Sequence, residues 1–162
     1  ELSADLFVAL LDGVQTNKNV ETFYKMYEDN ADGLPAAAEK FDLTMSYIGE
    51  VYPPEDLSNT NWARIHLFYS LFASIGHFLY GLGGLNPELI FPIKKSHVGR
   101  LRIALDEISA NFDTFAASKE NDSIPSDYKT FIEQSRRGTT DTSARTGRSN
   151  FICKKLIEAL SE

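Results

Sequence analysis

The chain has 162 residues and a net charge of −7, from 16 lysines and arginines against 23 aspartates and glutamates. Its 43% hydrophobic and 12% aromatic residues can fill the core of one domain, which excludes wholesale disorder. The negative charge argues against a protein that coats nucleic acid indiscriminately. A single cysteine, Cys153, excludes an internal disulfide framework and a multi-cysteine metal site.

Three helices are predicted in the first third of the chain. Leucines at i, i+4 spacing indicate a helix over residues 1–11, which Asp12-Gly13 ends because glycine favours helix C-termini. Asn19 is expected to cap a second helix. Its aromatic residues on one side are Phe23, Tyr24 and Tyr27. A third helix opens at Pro35 and ends at Val51, before two prolines.

The remaining chain predicts four more helices. The helix from about 60 to 80 is apolar on nearly all sides, which is typical of a central helix. Glycines and prolines then make a loop, before helices over 98–117, from Pro125, and over 143–160 with Ser143 as its cap. No segment alternates like a strand. The sequence predicts a single all-α domain over 1–162, an irregular bundle of about seven helices.

Isolated reactive side chains do not form a recognisable motif. His66 and His77 are about 16 Å apart on one helix, too far to share a metal. His77 is therefore expected to be a hydrogen-bonded core histidine, with His66 and His97 at the surface, and Cys153 is expected to pack in the core. We expect no catalytic residue, no metal site and no cofactor in this chain. A small stand-alone helical hydrolase is the last-ranked alternative, because it needs acid and base groups in one cleft and the spacing does not show them.

The distribution of charge is uneven along the chain. Residues 1–60 carry 12 acidic and 3 basic groups, whereas residues 136–155 carry six basic groups and one acidic group. Arginines suit phosphates because the guanidinium group binds oxyanions in bidentate geometry. The candidate phosphate-binding residues are Arg136, Arg137, Arg145 and Arg148. Arg145 and Arg148, three apart on one helix face, are expected to act together. The alternative is a solvated basic loop that pairs with the acidic first half of the same domain.

The stretch 67–85 is the longest apolar one, but polar residues and glycines interrupt it too often for a membrane span. No signal peptide is recognisable, so a cytoplasmic location is expected. Because the chain opens at Glu1 without Met, it is expected to be a fragment of a larger protein.

Several stretches resemble the C-terminal helical region of GmrS-like phage-defence and restriction proteins. They are residues 1–15, 20–24 and 67–72, and the Arg-Gly-Thr-Thr-Asp…Arg-x-x-Arg-x-x-Phe-Ile pattern over 137–152. In that family an N-terminal ParB/sulfiredoxin-like domain binds and hydrolyses nucleotide through an Asp-Gly-Gln-Gln-Arg motif. Many members add a His-Asn-His nuclease, and members restrict phage DNA. Neither motif is present here, since Asp12-Gly13-Val14-Gln15 lacks the second Gln and the Arg.

The resemblance implies a non-catalytic helical region that supports its own N-terminal nucleotide-binding domain, where the nucleotide would be bound. Combined with the basic segment, it implies contact with DNA phosphates. The alternative is a protein-interaction or homo-oligomerisation bundle with no role in nucleic-acid binding, because abundant tyrosine and phenylalanine suit an interface as well as a core. Neither alternative involves a membrane.

Overall fold

A computed structural model describes all 162 residues as an all-α bundle, which confirms the predicted fold class. Its helices are α1 (Leu2–Asp12), α2 (Val20–Asp29), α3 (Leu34–Val51), α4 (Pro54–Leu57), α5 (Ile65–Tyr80), α6 (Val98–Ala117), α7 (Ser126–Gln134) and α8 (Thr142–Leu160). Seven are the predicted helices, and α4 is one additional turn. None of them combines the length and the apolarity needed to cross a bilayer.

Helix α5 lies at the centre of the bundle, as its apolar circumference predicts. It packs against α1, α3 and α8, and eleven of its 16 residues are buried. Its buried hydroxyls remain satisfied, since Ser74 Oγ is 2.7 Å from the Ser70 carbonyl and 3.1 Å from the Ser149 carbonyl on α8. Ser74, one of the polar residues that interrupt the apolar stretch, therefore joins α5 to α8.

The start of α5 differs from the prediction. Residues 61–63 form a 3₁₀ turn, Arg64 is extended, and the α-helix begins only at Ile65. The Asn61 side chain donates to the Ser109 carbonyl at 3.0 Å, and the Trp62 indole donates to the Leu105 carbonyl at 3.1 Å. These bonds fix the turn against α6, and sequence periodicity cannot reveal them.

Two predicted caps are only partly correct. Asn19 occupies the cap position of α2, but its side chain donates to Gln15 Oε1 rather than capping the helix. Helix α8 begins at Thr142 with Asp141 in the cap position, so the prediction that Ser143 caps it is wrong. Ser143 instead lies within the first turn, where it has helical backbone geometry.

Gly13 ends α1 as predicted and also allows two loops to meet. Its φ of +92° lies in a region that glycine adopts much more readily than residues with a side chain. A Cβ at this position would lie 2.6 Å from the Gly83 carbonyl oxygen. That oxygen accepts a 2.9 Å bond from the Val14 N–H, so only glycine permits this approach.

Candidate functional site

Arg145 from α8 lies in the interior, where its charge is paired. Its two terminal nitrogens each lie 3.1 Å from one carboxylate oxygen of Asp5 on α1, a bidentate pair. Nη1 also donates to the Gln15 carbonyl at 2.8 Å, and the guanidinium stacks 3.9 Å from the Tyr69 ring centroid. Only 4% of Arg145 and 8% of Asp5 are exposed. Arg145 therefore joins α8 both to α1 and to the loop that follows α1.

Arg148, one turn further along α8, is fully buried and faces neutral oxygens. It donates to Ser70 Oγ at 2.9 Å, to the Gln134 carbonyl at 2.6 Å and to the Thr139 carbonyl at 2.7 Å. Burial, together with the charge of Arg145, lowers the pKa of Arg148 to about 10. At neutral pH it is still a cation, and its planar fork joins α5 to the last residue of α7 and to the loop that follows.

These positions change the interpretation of the basic segment. Arg145 and Arg148 lie on the same side of α8, as predicted, but this is the buried face and not a surface open to DNA. All of their donors except Arg145 Nε bond to protein oxygens, and at 4% and 0% exposure neither guanidinium is open to a phosphate in this fold. The Asp5–Arg145 pair agrees with the alternative in linking the basic segment to the acidic first half, but the pair is buried rather than solvated, and Arg145 belongs to α8 rather than to a loop.

A signal for this burial is present in the sequence. Arg145, Ser149, Ile152 and Leu156 recur at spacings of three and four, which puts the arginine on the same face as core aliphatics. Counting charges along the sequence cannot predict how deeply that helix face is buried. Arginines are more often exposed than buried, and burial here depends on partners from elsewhere in the fold: the Asp5 carboxylate for Arg145, and neutral oxygens for Arg148.

Arg136 and Arg137 are exposed, as the phosphate-binding hypothesis requires. Arg136 Nη2 donates to the Ala116 carbonyl at 3.0 Å, near the end of α6. Arg64, also exposed, lies over the Phe112 ring at 5.7 Å, one turn earlier on α6. We call Arg64, Arg136 and Arg137 the arginine surface. Sequence reasoning missed Arg64, because 72 positions separate it from Arg136.

The three histidines have different environments. His77 is buried, accepts from the Leu82 N–H at Nδ1 (2.8 Å) and donates from Nε2 to the Asn86 carbonyl (2.9 Å), which confirms the core role. His97 is half-buried, and its Nδ1 accepts from the Lys94 N–H at 2.9 Å. His66 is half-buried rather than on the surface. Burial, and then the charges of Arg148 and Arg64, lower the pKa of His66.

Cys153 packs in the core, as predicted. It is fully buried, and its thiol lies 3.9 Å from the Ser74 carbonyl. Of the two lysines that follow it in sequence, Lys154 is exposed and Lys155 binds Asp127 at 2.8 Å, so neither activates the sulfur. Burial raises the pKa of the Cys153 thiol to about 12.

This raised pKa predicts a loss of stability in alkali. A thiol that stays protonated in the folded chain but ionises when unfolded contributes stability that is intact below pH 9 and declines as the pH approaches 12. The free energy of unfolding should fall by about 1.4 kcal/mol per pH unit within that range. Denaturant titration at pH 8, 9 and 10 should show a shallower decline for Cys153→Ala. Equal slopes would contradict the burial of the thiol.

An open apolar groove lies between α1 and α2. Its volume is about 690 Å³, and nine of its 11 lining residues are hydrophobic. Helix α1 contributes Ser3, Ala4, Phe7, Val8 and Leu11, α2 contributes Val20, Phe23, Tyr24, Tyr27 and Glu28, and Leu34 begins α3. The predicted aromatic side of the second helix thus faces this groove. Of its tyrosines, Tyr24 is 64% exposed.

Six tyrosines suit an interface as well as a core, and the structure divides them between the two environments. Tyr47, Tyr52 and Tyr69 are buried and Tyr80 is half-buried, whereas Tyr24 and the half-buried Tyr27 line the groove.

Comparison of the chain with protein-family models, with curated proteins and with solved structures gives no match.

Proposed function

We propose that this chain is the non-catalytic helical region of a GmrS-like DNA-targeting defence protein. In this role it supports the nucleotide-binding domain of that protein and contacts DNA phosphates. The observation that carries the scaffold role is the bidentate Arg145–Asp5 pair. It joins the first and the last of the stretches that resemble the family, 140 positions apart in sequence.

The polar groups of these stretches are bonded within the bundle. Asp5 is bonded to Arg145, while Arg148 is bonded to Ser70, Gln134 and Thr139. Apart from Arg145 Nε, which is buried without a hydrogen-bond partner, these groups are paired inside the protein. Paired buried networks specify one packing arrangement rather than leaving groups free for a substrate. This bonding favours a supporting task for the motif residues.

The DNA-contacting part of the proposal now depends on the arginine surface. Arg64, Arg136 and Arg137 are exposed cations, and the first two contact the C-terminal part of α6. Phosphate contacts by exposed cations position a protein without reading sequence. The rest of the chain is acidic, so the surface would touch a few phosphates rather than coat a duplex.

A salt titration tests this contact. With the 162-residue chain and a labelled duplex, Arg136→Ala/Arg137→Ala should weaken binding and reduce the slope of log K against log salt by about one per lost phosphate contact. Fluorescence anisotropy from low to moderate salt measures both quantities.

A matched control removes the same charge elsewhere. Arg100→Ala/Lys154→Ala removes two exposed cations. Arg100 lies far from the arginine surface, because it precedes Ala116, the residue that Arg136 contacts, by 16 positions on α6, or about 24 Å. This variant should keep the slope of the unaltered chain. A slope unchanged in the Arg136/Arg137 variant, or no binding by the unaltered chain, would overturn the DNA proposal.

A second candidate function is a protein-interaction bundle that binds a partner or a second copy of itself. The exposed, aromatic-rich groove between α1 and α2 favours it, because exposed apolar surfaces of this kind mark binding sites. Sedimentation of the chain alone and with duplex DNA separates the two functions. A dimer that ignores DNA would favour the second.

A further inference from the structure

We infer that the groove between α1 and α2 binds a basic amphipathic helix of a partner protein. This inference rests on the second candidate function and names the chemistry of the partner. It starts from the shape of the groove. Side chains at spacings of three and four along both helices form two facing apolar stripes.

The dimensions of the groove match a short helix. Helix α2 has 10 residues, so the groove runs for about three turns or 15 Å. The floor includes Phe7, which stacks on Phe41 at 4.8 Å and is therefore fixed in place. Tyr24 and Tyr27 form the open wall. A hydrophobic floor between two helices is the arrangement into which an amphipathic helix lays its apolar face.

The charge around the groove selects a basic occupant. Glu28 is its only charged lining residue. Asp29 ends α2, and Asp32 lies in the turn that leads to Leu34, the lining residue at the start of α3. The one lysine of α2, Lys25, lies 3.5 Å from Glu21, which partly offsets its charge. Lysines or arginines beside the apolar face of a partner helix would complement this acidic end.

A second copy of the chain fits this charge poorly. Each copy carries a net charge of −7 and the same acidic turn, so two grooves placed together repel. The strongly basic part of the chain does not form a free basic helix that could occupy the groove of a second copy, because two of its arginines, Arg145 and Arg148, are buried in the bundle.

Two designed peptides test the inference. Both are amphipathic helices of about 18 residues, or five turns, built from leucine and alanine with either lysine or glutamate on the polar face. Anisotropy with the full 162-residue chain should show binding of the lysine peptide, with affinity at least about tenfold above that of the glutamate peptide. Equal affinity for both, or no binding of the lysine peptide, would overturn the inference.

Two variants of α2 locate the site. Tyr24→Ser should lower the affinity for the lysine peptide about tenfold, as expected when an aromatic contact is truncated. Met26→Ser is the matched control, since Met26 lies on the same helix, is 57% exposed and does not line the groove. It should leave the affinity unchanged. Equal effects of the two changes would contradict binding in the groove.

Glu28→Gln separates charge from apolar contact. This variant should retain binding with a weaker dependence on salt, because a screened attraction is lost. An unchanged salt dependence would overturn the basic character of the partner.

Sedimentation of the chain alone completes the test. If the chain self-associates and Tyr24→Ser abolishes that association, the groove binds a second copy. That result would overturn this inference while leaving the interaction function intact.

Discussion

Replacing Arg148 by alanine is expected to destabilise the fold by about 4 kcal/mol or more, the range that only core defects reach. The change removes a large, fully buried side chain and leaves a cavity between α5 and α8. It also removes the donors to the carbonyls of Gln134 and Thr139. Each buried carbonyl left without a partner costs about 1–3 kcal/mol. Urea denaturation monitored by circular dichroism measures the loss.

Two further variants make this result specific. Arg148→Lys keeps the charge but lacks the planar fork that meets three acceptors, so it should also destabilise the chain. Arg100→Ala removes an exposed arginine that donates to the Ala159 and Glu162 carbonyls, and its cost should stay below about 1 kcal/mol. Similar losses for Arg148→Ala and Arg100→Ala would contradict a structural role for Arg148.

The second large effect concerns the Asp5–Arg145 pair. Arg145→Met should cost about 3–5 kcal/mol, because it leaves the Asp5 carboxylate buried without its counter-charge. Asp5→Leu should also destabilise the fold, because it leaves the Arg145 guanidinium buried without its counter-charge. The double variant contains neither charge, so its loss should be well below the sum of the single losses. A double-mutant cycle in urea measures this coupling.

An exposed ion pair provides the comparison. Glu21 and Lys25 are 84% and 74% exposed and lie one turn apart on α2. Breaking this pair with Glu21→Gln should change stability by no more than about 0.5 kcal/mol, because water screens both charges. Additive losses in the Asp5–Arg145 cycle would refute the coupling that their bidentate geometry predicts.

Local sequence patterns were sufficient to predict the positions of most of the helices. Apolar stripes and breakers such as Gly13 and the prolines at 53 and 54 depend on near neighbours along the chain. The start of α5 was displaced because Asn61 and Trp62 bond to α6, more than 40 positions away. Those long-range bonds override a local helical preference.

The candidate site was predicted less well for a related reason. The hypothesis grouped Arg136, Arg137, Arg145 and Arg148 by proximity in sequence. Folding separates them, since the first two lie on a surface loop and the last two on the inner face of a helix. It also brings Arg64 to the same end of α6 as Arg136. A charge count over a window of sequence contains no measure of depth.

The sequence by itself determined the all-α class, the central position of α5 and the core roles of His77 and Cys153, because spacing and apolarity act over a few turns. Only the tertiary structure decided which arginines pair inside, which remain at the surface and where an apolar groove stays open. Those outcomes depend on helices that meet across more than 100 positions, as Asp5 and Arg145 do. Local sequence patterns do not specify such contacts.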